Sequence, residues 1–276
     1  MTMQMRRRPT TAPMLIMTSL LAIGEAPGAA ADRLNDKDVK ELMVQVDENR
    51  DRFEDQLDGK LKRSILRGPR GEVNVGEYLD DLQANVDKMK DRFTPQYAAS
   101  AEVTAVLRQG TDIQRYMSTL PPDFDGVSEW NRLSASLGQL ASVYGAPWPL
   151  SEGHAVRRMN DGELKKTADE LSKSADVFKK ELDSSLKKDK TIDSATREAA
   201  VQEADGLKKD AKKVGSLVGD GRPASGEAQA LLQRAAAVQG AISGRTLSPA
   251  AQSAWGAFES GLGKVAQAFN MPTRVP

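Results

Sequence analysis

Two stretches of this chain, SEWNRLSASLGQLASVYGAPWP from Ser128 and SAWGAFESGLGKVAQAFNMP from Ser253, repeat one order of bulky, small and apolar residues 125 positions apart. An ungapped shift of 125 aligns 35–147 with 160–272 and leaves 25 of the 113 paired positions identical. The identities include Asn35/Asn160, Phe53/Phe178, Leu82/Leu207, Leu107/Leu232, Trp130/Trp255 and Gly138/Gly263. A repeat of this length is a domain, not one turn of a solenoid, and two copies of one unit explain it most simply.

Within each copy the apolar residues recur at alternating steps of three and four. In the first copy the stripes run Val39 to Leu61, Val75 to Phe93, Ala99 to Met117 and Trp130 to Tyr144. Their counterparts run Leu164 to Leu186, Ala200 to Val218, Ala224 to Ile242 and Trp255 to Phe269. Such spacing places each set on one helical face that must be buried. Asn35 and Asn160 stand three residues before an acid and read as N-caps with capping-box partners. Thr94-Pro95 and Ser248-Pro249 read as a cap followed by proline in the first turn. RGPRGEVN, PPDFDG and GDGRP read as breakers between stripes. Four helices with short connections predict an antiparallel bundle. The predicted fold is all-α: two tandem four-helix bundles from an internal duplication, at 32–147 and 160–276, joined by a linker at 148–159. Trp130 and Trp255 are expected to fill the cores. The second copy, with alanine at many seats, is expected to bury less.

The first thirty-one residues read differently. Arg6, Arg7 and Arg8 precede an apolar run from Met14 to Ile23, and Ala29-Ala30-Ala31 supplies small residues for cleavage. That order predicts a secretory signal peptide and a mature chain starting near Asp32. The run is about half the ~20 residues a membrane span needs, and no transmembrane segment is expected in the mature chain. The expected location is the periplasm or the cell exterior. With no cysteine, neither a disulfide nor a lipid anchor on sulfur is available, so apolar burial must hold the fold.

The residue inventory narrows the chemistry. His154 is the single histidine, and it falls in the linker. Neither the Glu-x-x-His pairs of di-iron bundles nor the usual His/Cys zinc set can be written. DFDG at Asp123 to Gly126 is a fragment of an oxygen-rich loop and reads as a turn. There is no Gly-x-Ser-x-Gly nucleophile turn and no phosphate loop. No cofactor, no metal and no catalytic residue is predicted.

The copies differ in three respects. Residues 32–150 carry 16 basic and 21 acidic side chains, whereas 151–276 carry 20 and 17. Lysine pairs crowd the first two stripes of the second copy, and Lys208, Lys209, Lys212 and Lys213 are candidates for contact with an anionic envelope surface. Nucleic acid is not expected, since the chain has no net charge. The loop Arg67-Gly68-Pro69-Arg70 faces a plain helix start (IDSATR) in the second copy, and Arg67 and Arg70 are candidates for a partner-binding tip, or for local pairing with Asp123 and Asp125. Arg50 occupies the seat of Ala175 inside a stripe. It is expected to snorkel outward, and it is the third partner-binding candidate.

RGPRGEVNV, YAASAEVTAVLRQGTDIQRYM and SEWNRL resemble segments of uncharacterised secreted bacterial proteins. The resemblance covers mainly the first copy. It implies an envelope or secreted helical protein, and no activity or site residue. The LTxxQ signature of periplasmic stress chaperones is absent. The expected function is a non-enzymatic binding or scaffolding role toward an unknown protein or an anionic envelope component. A chaperone-like stress factor and a small-ligand carrier or enzyme are the alternatives. A chaperone calls for a contiguous exposed apolar face, and a carrier for a cavity lined by polar groups from several helices.

Overall fold

The computed structural model describes residues 33–68 and 71–272. The predicted leader, its cleavage site near Asp32, and Arg70 lie outside the described residues. Among the described residues the fold is all-α apart from one small hairpin. It opens with α1 (Asp36–Gln56), a single turn α2 (Gly59–Lys62), and the antiparallel pair β1 (Ile65–Gly68) and β2 (Gly71–Asn74). α3 (Val75–Arg92), α4 (Ser100–Met117) and α5 (Val127–Val143) follow. Then come α6 (Asp161–Lys188), α7 (Ser194–Gly219), α8 (Ser225–Ile242) and α9 (Pro249–Ala268). In each set of four long helices, successive helices pack together and the first packs on the last. That closed ring is an antiparallel four-helix bundle.

Buried apolar residues form two clusters, one from Val39 to Val156 and one from Leu164 to Phe269. The stripes supply them. Seats 125 apart are buried in both, as at Val39/Leu164, Leu82/Leu207, Val103/Ala228 and Leu137/Leu262. Trp130 leans on Phe53 at 5.3 Å and 56°, and Trp255 leans on Phe178 at 4.8 Å and 53°. Tilted rings at this distance add attraction beyond the area they bury. Both tryptophans belong to the cores.

The caps follow local chemistry. Asn35 Oδ1 accepts from Asp38 N–H and Asn160 Oδ1 from Glu163 N–H. Ser248 caps α9 ahead of Pro249, and Asp193 caps α7. Thr94-Pro95 does not start α4. Thr94 and Tyr97 exchange backbone hydrogen bonds at 2.9 and 3.1 Å, which closes a tight turn and delays the helix to Ser100. Tyr97 is held there by Glu102 at 2.9 Å and by Arg92 over its ring.

The breaker RGPRGEVN is a hairpin, not a plain loop. Leu66 pairs with Val73 across it and buries against the first core, while Ile65 points outward. An apolar residue on each strand, with the helix-breaking Gly-Pro pair at the end of β1 in the sequence, favours that pairing over continued helix. The second bundle instead runs α6 and α7 on to 28 and 26 residues.

The predicted linker is fastened to the first bundle. Leu150 and Val156 join its core, and Arg157 N–H donates to Tyr144 O at 3.1 Å. Trp148 lies in the seam between α4 and α5. A Cβ at Gly110 would stand 2.8 Å from its ring, and one at Gly138 3.3 Å. Its Nε1–H donates to Ser134 Oγ at 3.0 Å. Two glycines on facing helices therefore make the slot that this ring fills.

Candidate binding cleft between the bundles

The N-termini of α1 and α6 meet side by side, and short charged side chains join them. Arg33 donates through Nη1 to Asp161 and through Nη2 to Met159 O at 2.6 Å. Arg158 makes the converse contacts, through Nη2 to Asp36 Oδ1 at 2.7 Å and to Leu34 O at 2.9 Å. Asp36 N–H donates to Asp161 Oδ2 at 2.7 Å, and Asp161 N–H donates to Asp36 Oδ2 at 2.9 Å. Arg33, Leu34 and Asp36 lie 125 residues before Arg158, Met159 and Asp161. The contact therefore maps onto itself when the halves are exchanged, which is the geometry of a two-fold dimer interface within one chain. The arginine side chains are only 9% and 2% exposed, so these are shielded, charge-assisted bonds. Burial holds Arg158 below the ordinary arginine range. The like charge of Arg33 adds to that, and Asp36 opposes it.

The neighbouring contacts share the pattern. Asn35 Nδ2–H donates to Gly221 O at 3.2 Å, in the loop between α7 and α8. The start of α6 presses on the turn between α3 and α4, where a Cβ at Gly162 would fall 2.8 Å from Pro95 O. α5 and α9 end alike, with Gly145 and Asn270 in the left-handed region at φ 64° and 53°. Ala146 N–H and Met271 N–H reach back to Ala141 O and Ala266 O, each at 2.9 Å.

Beside this ring, α1 and α5 face α6 and α9 across a cleft of about 870 Å³. That volume is within the range of small-molecule sites. Its walls carry Asp38 and Gln45 from α1, Ser142 from α5, Glu163 from α6, Lys264 from α9, and Arg157 from the connection. Val143, Met159, Ala268 and Phe269 supply apolar surface between them. The sequence signal for the site is the doubled Arg-Leu/Met-Asn-Asp segment at the start of each bundle's first helix. Periodicity alone missed it, because these residues precede the first stripe.

The residues predicted as binding candidates lie elsewhere. Arg50 does not snorkel. Its side chain is 7% exposed, and it donates to Leu79 O at 3.0 Å and pairs with Glu54 and Asp51 at 2.7 Å. A backbone carbonyl and two carboxylates within reach make an inward position cheaper than extension into water. The guanidinium is thus committed inside the first bundle. Arg67 pairs with Glu72 through the backbone register at the hairpin end. The loop before α5 lies at the same end, with Gly126 against Gln56.

The lysine face is not bare. Lys208 and Lys180 converge on Asp176 at 2.7 and 2.8 Å, and Lys179 and Lys209 converge on Asp205 at 2.7 and 2.9 Å. These pairs hold both carboxyls well below the usual range, at about 2. Lys213 pairs with Glu227 at 3.0 Å, and Lys212 is exposed. Three carboxylates thus partner five of these six lysines, within and across helices, and offset half of the charge that composition alone presents as a cationic surface.

Among the described residues, no helix is long and apolar enough to cross a membrane, and no group of three or more His, Cys, Asp or Glu side chains gathers to hold a metal. No family model, curated protein or solved structure matches the chain.

Proposed function

We propose that this is an exported, non-enzymatic binding protein, made of two copies of one helical unit, that takes a small ligand in the cleft between its bundles. The observation that carries this reading is the cleft itself. Polar groups from four helices of two cores converge on a volume suited to a ligand, which is the feature expected of a carrier. The exposed large apolar residues Leu34, Val44, Ile65, Tyr97 and Val177 lie on separate elements, and a client-holding surface needs a contiguous patch. The reading therefore moves from protein scaffolding toward ligand carriage, with the envelope as the expected location.

The test uses native mass spectrometry of the purified protein after exposure to a metabolite extract. A small molecule should remain bound to the wild type and be lost from Ser142→Trp with Ala268→Trp, which fills the cleft from both walls. A wild type that retains nothing, or a filled variant that retains the same mass, would falsify the cleft reading.

A further inference from the structure

The junction between the bundles is two-fold in its ring but not at its edges. At one edge Asn35 Nδ2–H donates to Gly221 O at 3.2 Å, in the connection from α7 to α8. At the other edge the counterpart donor, Asn160 Nδ2–H, finds no acceptor among the described residues, although Asn160 is fully buried. The residue 125 before Gly221 is Gln96, in the connection from α3 to α4. A buried donor without a partner is unfavourable, since it has lost water and gained nothing. The second asymmetry is steric. A Cβ at Gly162 would stand 2.8 Å from Pro95 O. Lys37, 125 residues before Gly162, carries a full side chain at its own edge that is 84% exposed. The two connections differ in shape. Thr94 and Tyr97 close a tight turn that holds Pro95 O against the start of α6, whereas α7 runs to Gly219 before a turn through left-handed Gly221.

Each half therefore brings equal partners to the ring but a different edge. The α3–α4 edge of the first bundle obstructs a Cβ and leaves an asparagine unpaired. The α7–α8 edge of the second admits a lysine and satisfies an asparagine. A first bundle docked on another first bundle would repeat the poor edge twice, with Lys37 where only glycine fits. The internal junction has one edge of each kind. A second bundle docked on another second bundle repeats the good edge twice. Both Asn160 side chains then reach a Gly221 carbonyl, and Gly162 leaves open the space that Lys37 fills here. Arg158 meets Asp161 and Met159 O of the other copy, as Arg33 does within the chain.

We infer that the junction face of the second bundle is a homodimer interface, which the first bundle covers within the single chain. The partner is a second copy of this chain. Tethering favours the internal contact, because a short linker gives the joined halves an effective concentration of about millimolar. The cover is releasable. Ser151 to Ala155 are exposed, and that stretch spans about 17 Å when extended.

Gly162→Lys separates the two uses of this face. It sets a Cβ against Pro95 O in the internal junction. Between two second bundles it supplies only the side chain that the same edge already accepts from Lys37. The test is light scattering after size exclusion, on the full chain carrying a Gly-Ser insertion after Gly153 so that the tether does not limit the exchange. The chain with the insertion alone should be a monomer, and Gly162→Lys should make it a dimer. In that dimer Arg158→Ala should weaken association roughly tenfold or more, as loss of a buried charge pair does at an interface, and Arg33→Ala should leave it unchanged. The two arginines are equivalent in the internal junction, so a difference between them cannot come from its loss or from misfolding. A Gly162→Lys chain that stays monomeric overturns the inference. So does a dimer weakened equally by both changes, which marks exchange of first and second bundles between chains, or a dimer that neither change weakens, which marks another surface. Should circular dichroism show Gly162→Lys unfolded, Gly162→Ala makes a smaller intrusion at the same contact and is judged by the same outcomes.

Discussion

The two bundles solve one packing problem with different means. At matched seats the first uses Met43, Leu79, Val86 and Met89 where the second uses Ala168, Ala204, Ala211 and Val214. The first bundle adds buried polar bonds to these larger side chains. Tyr144 donates to Ala98 O at 2.6 Å, and Tyr78 to Asp112 at 2.7 Å. Trp148 closes the seam between α4 and α5. The second bundle brings its helices close over alanine: a Cβ at Gly215 of α7 would sit 3.2 Å from Ala168 of α6. Its outer faces are then laced with ion pairs. The first half builds its core from larger side chains, whereas the second packs smaller ones between longer helices. Both halves nevertheless place their first helix and last helix so that one interface fits its own image.

The largest effect is expected at that shared interface. Arg158→Ala leaves Asp36 shielded without its partner, and breaking one side of a buried pair costs roughly 3–5 kcal/mol. Arg33→Ala should match it through Asp161, with the double variant less than additive because both act in one ring. Urea unfolding of the three variants measures this. Unequal single losses would show that the two halves do not share the junction evenly.

An intermediate effect is expected at the seam that distinguishes the bundles. Gly110→Ala places a methyl 2.7 Å from Leu137 and 2.8 Å from Trp148, and overpacking of this kind costs about 1–3 kcal/mol. The converse change, Ala235→Gly, should cost only about 1 kcal/mol, as glycine does within a helix. Thermal melts would separate the two. Removing the obstruction with Trp148→Ala in the Gly110→Ala background should shrink the penalty of the glycine change, and a constant penalty would place the strain elsewhere.

The smallest effect is expected on the lysine face, and it depends on pH. Asp176 and Asp205 have folded values lowered to about 2 by their lysine partners, below the ordinary aspartate value of about 3.9. A depressed carboxyl stabilises the fold fully above its unfolded value, and that stability declines as pH falls toward the folded one. Acid unfolding of the wild type should therefore steepen between about pH 4 and pH 2. Asp176→Asn with Asp205→Asn should flatten this limb and lower stability slightly at neutral pH, because exposed pairs contribute little and are screened by salt. An unchanged acid limb would mean that the network is geometric only.

Much of the architecture was legible in the residues themselves. Helix-period stripes identified the buried seats, because a face that repeats every three or four residues can be buried only as a helix. Asn35, Asn160 and Ser248 marked helix starts, since their side-chain oxygens satisfy amides that the helix leaves open. Other features depended on neighbours distant in the chain. Pro95 looked like the opening of a helix until Tyr97 and Glu102 fixed a turn around it. Arg50 looked like a side chain destined for water until Leu79 O and Glu54 came within reach. The lysine pairs looked unpartnered until Asp176 and Asp205 came between them. The junction belongs to this second class: Arg33 and Asp36 are ordinary residues at a helix start, and only the meeting of two bundles turns them and their counterparts into a ring with a cleft beside it. Local periodicity and capping depend on energies within a few turns of chain, so the sequence by itself determined the helices and their buried faces. Pairing of charges depends on which surfaces meet, and the tertiary structure alone decided that.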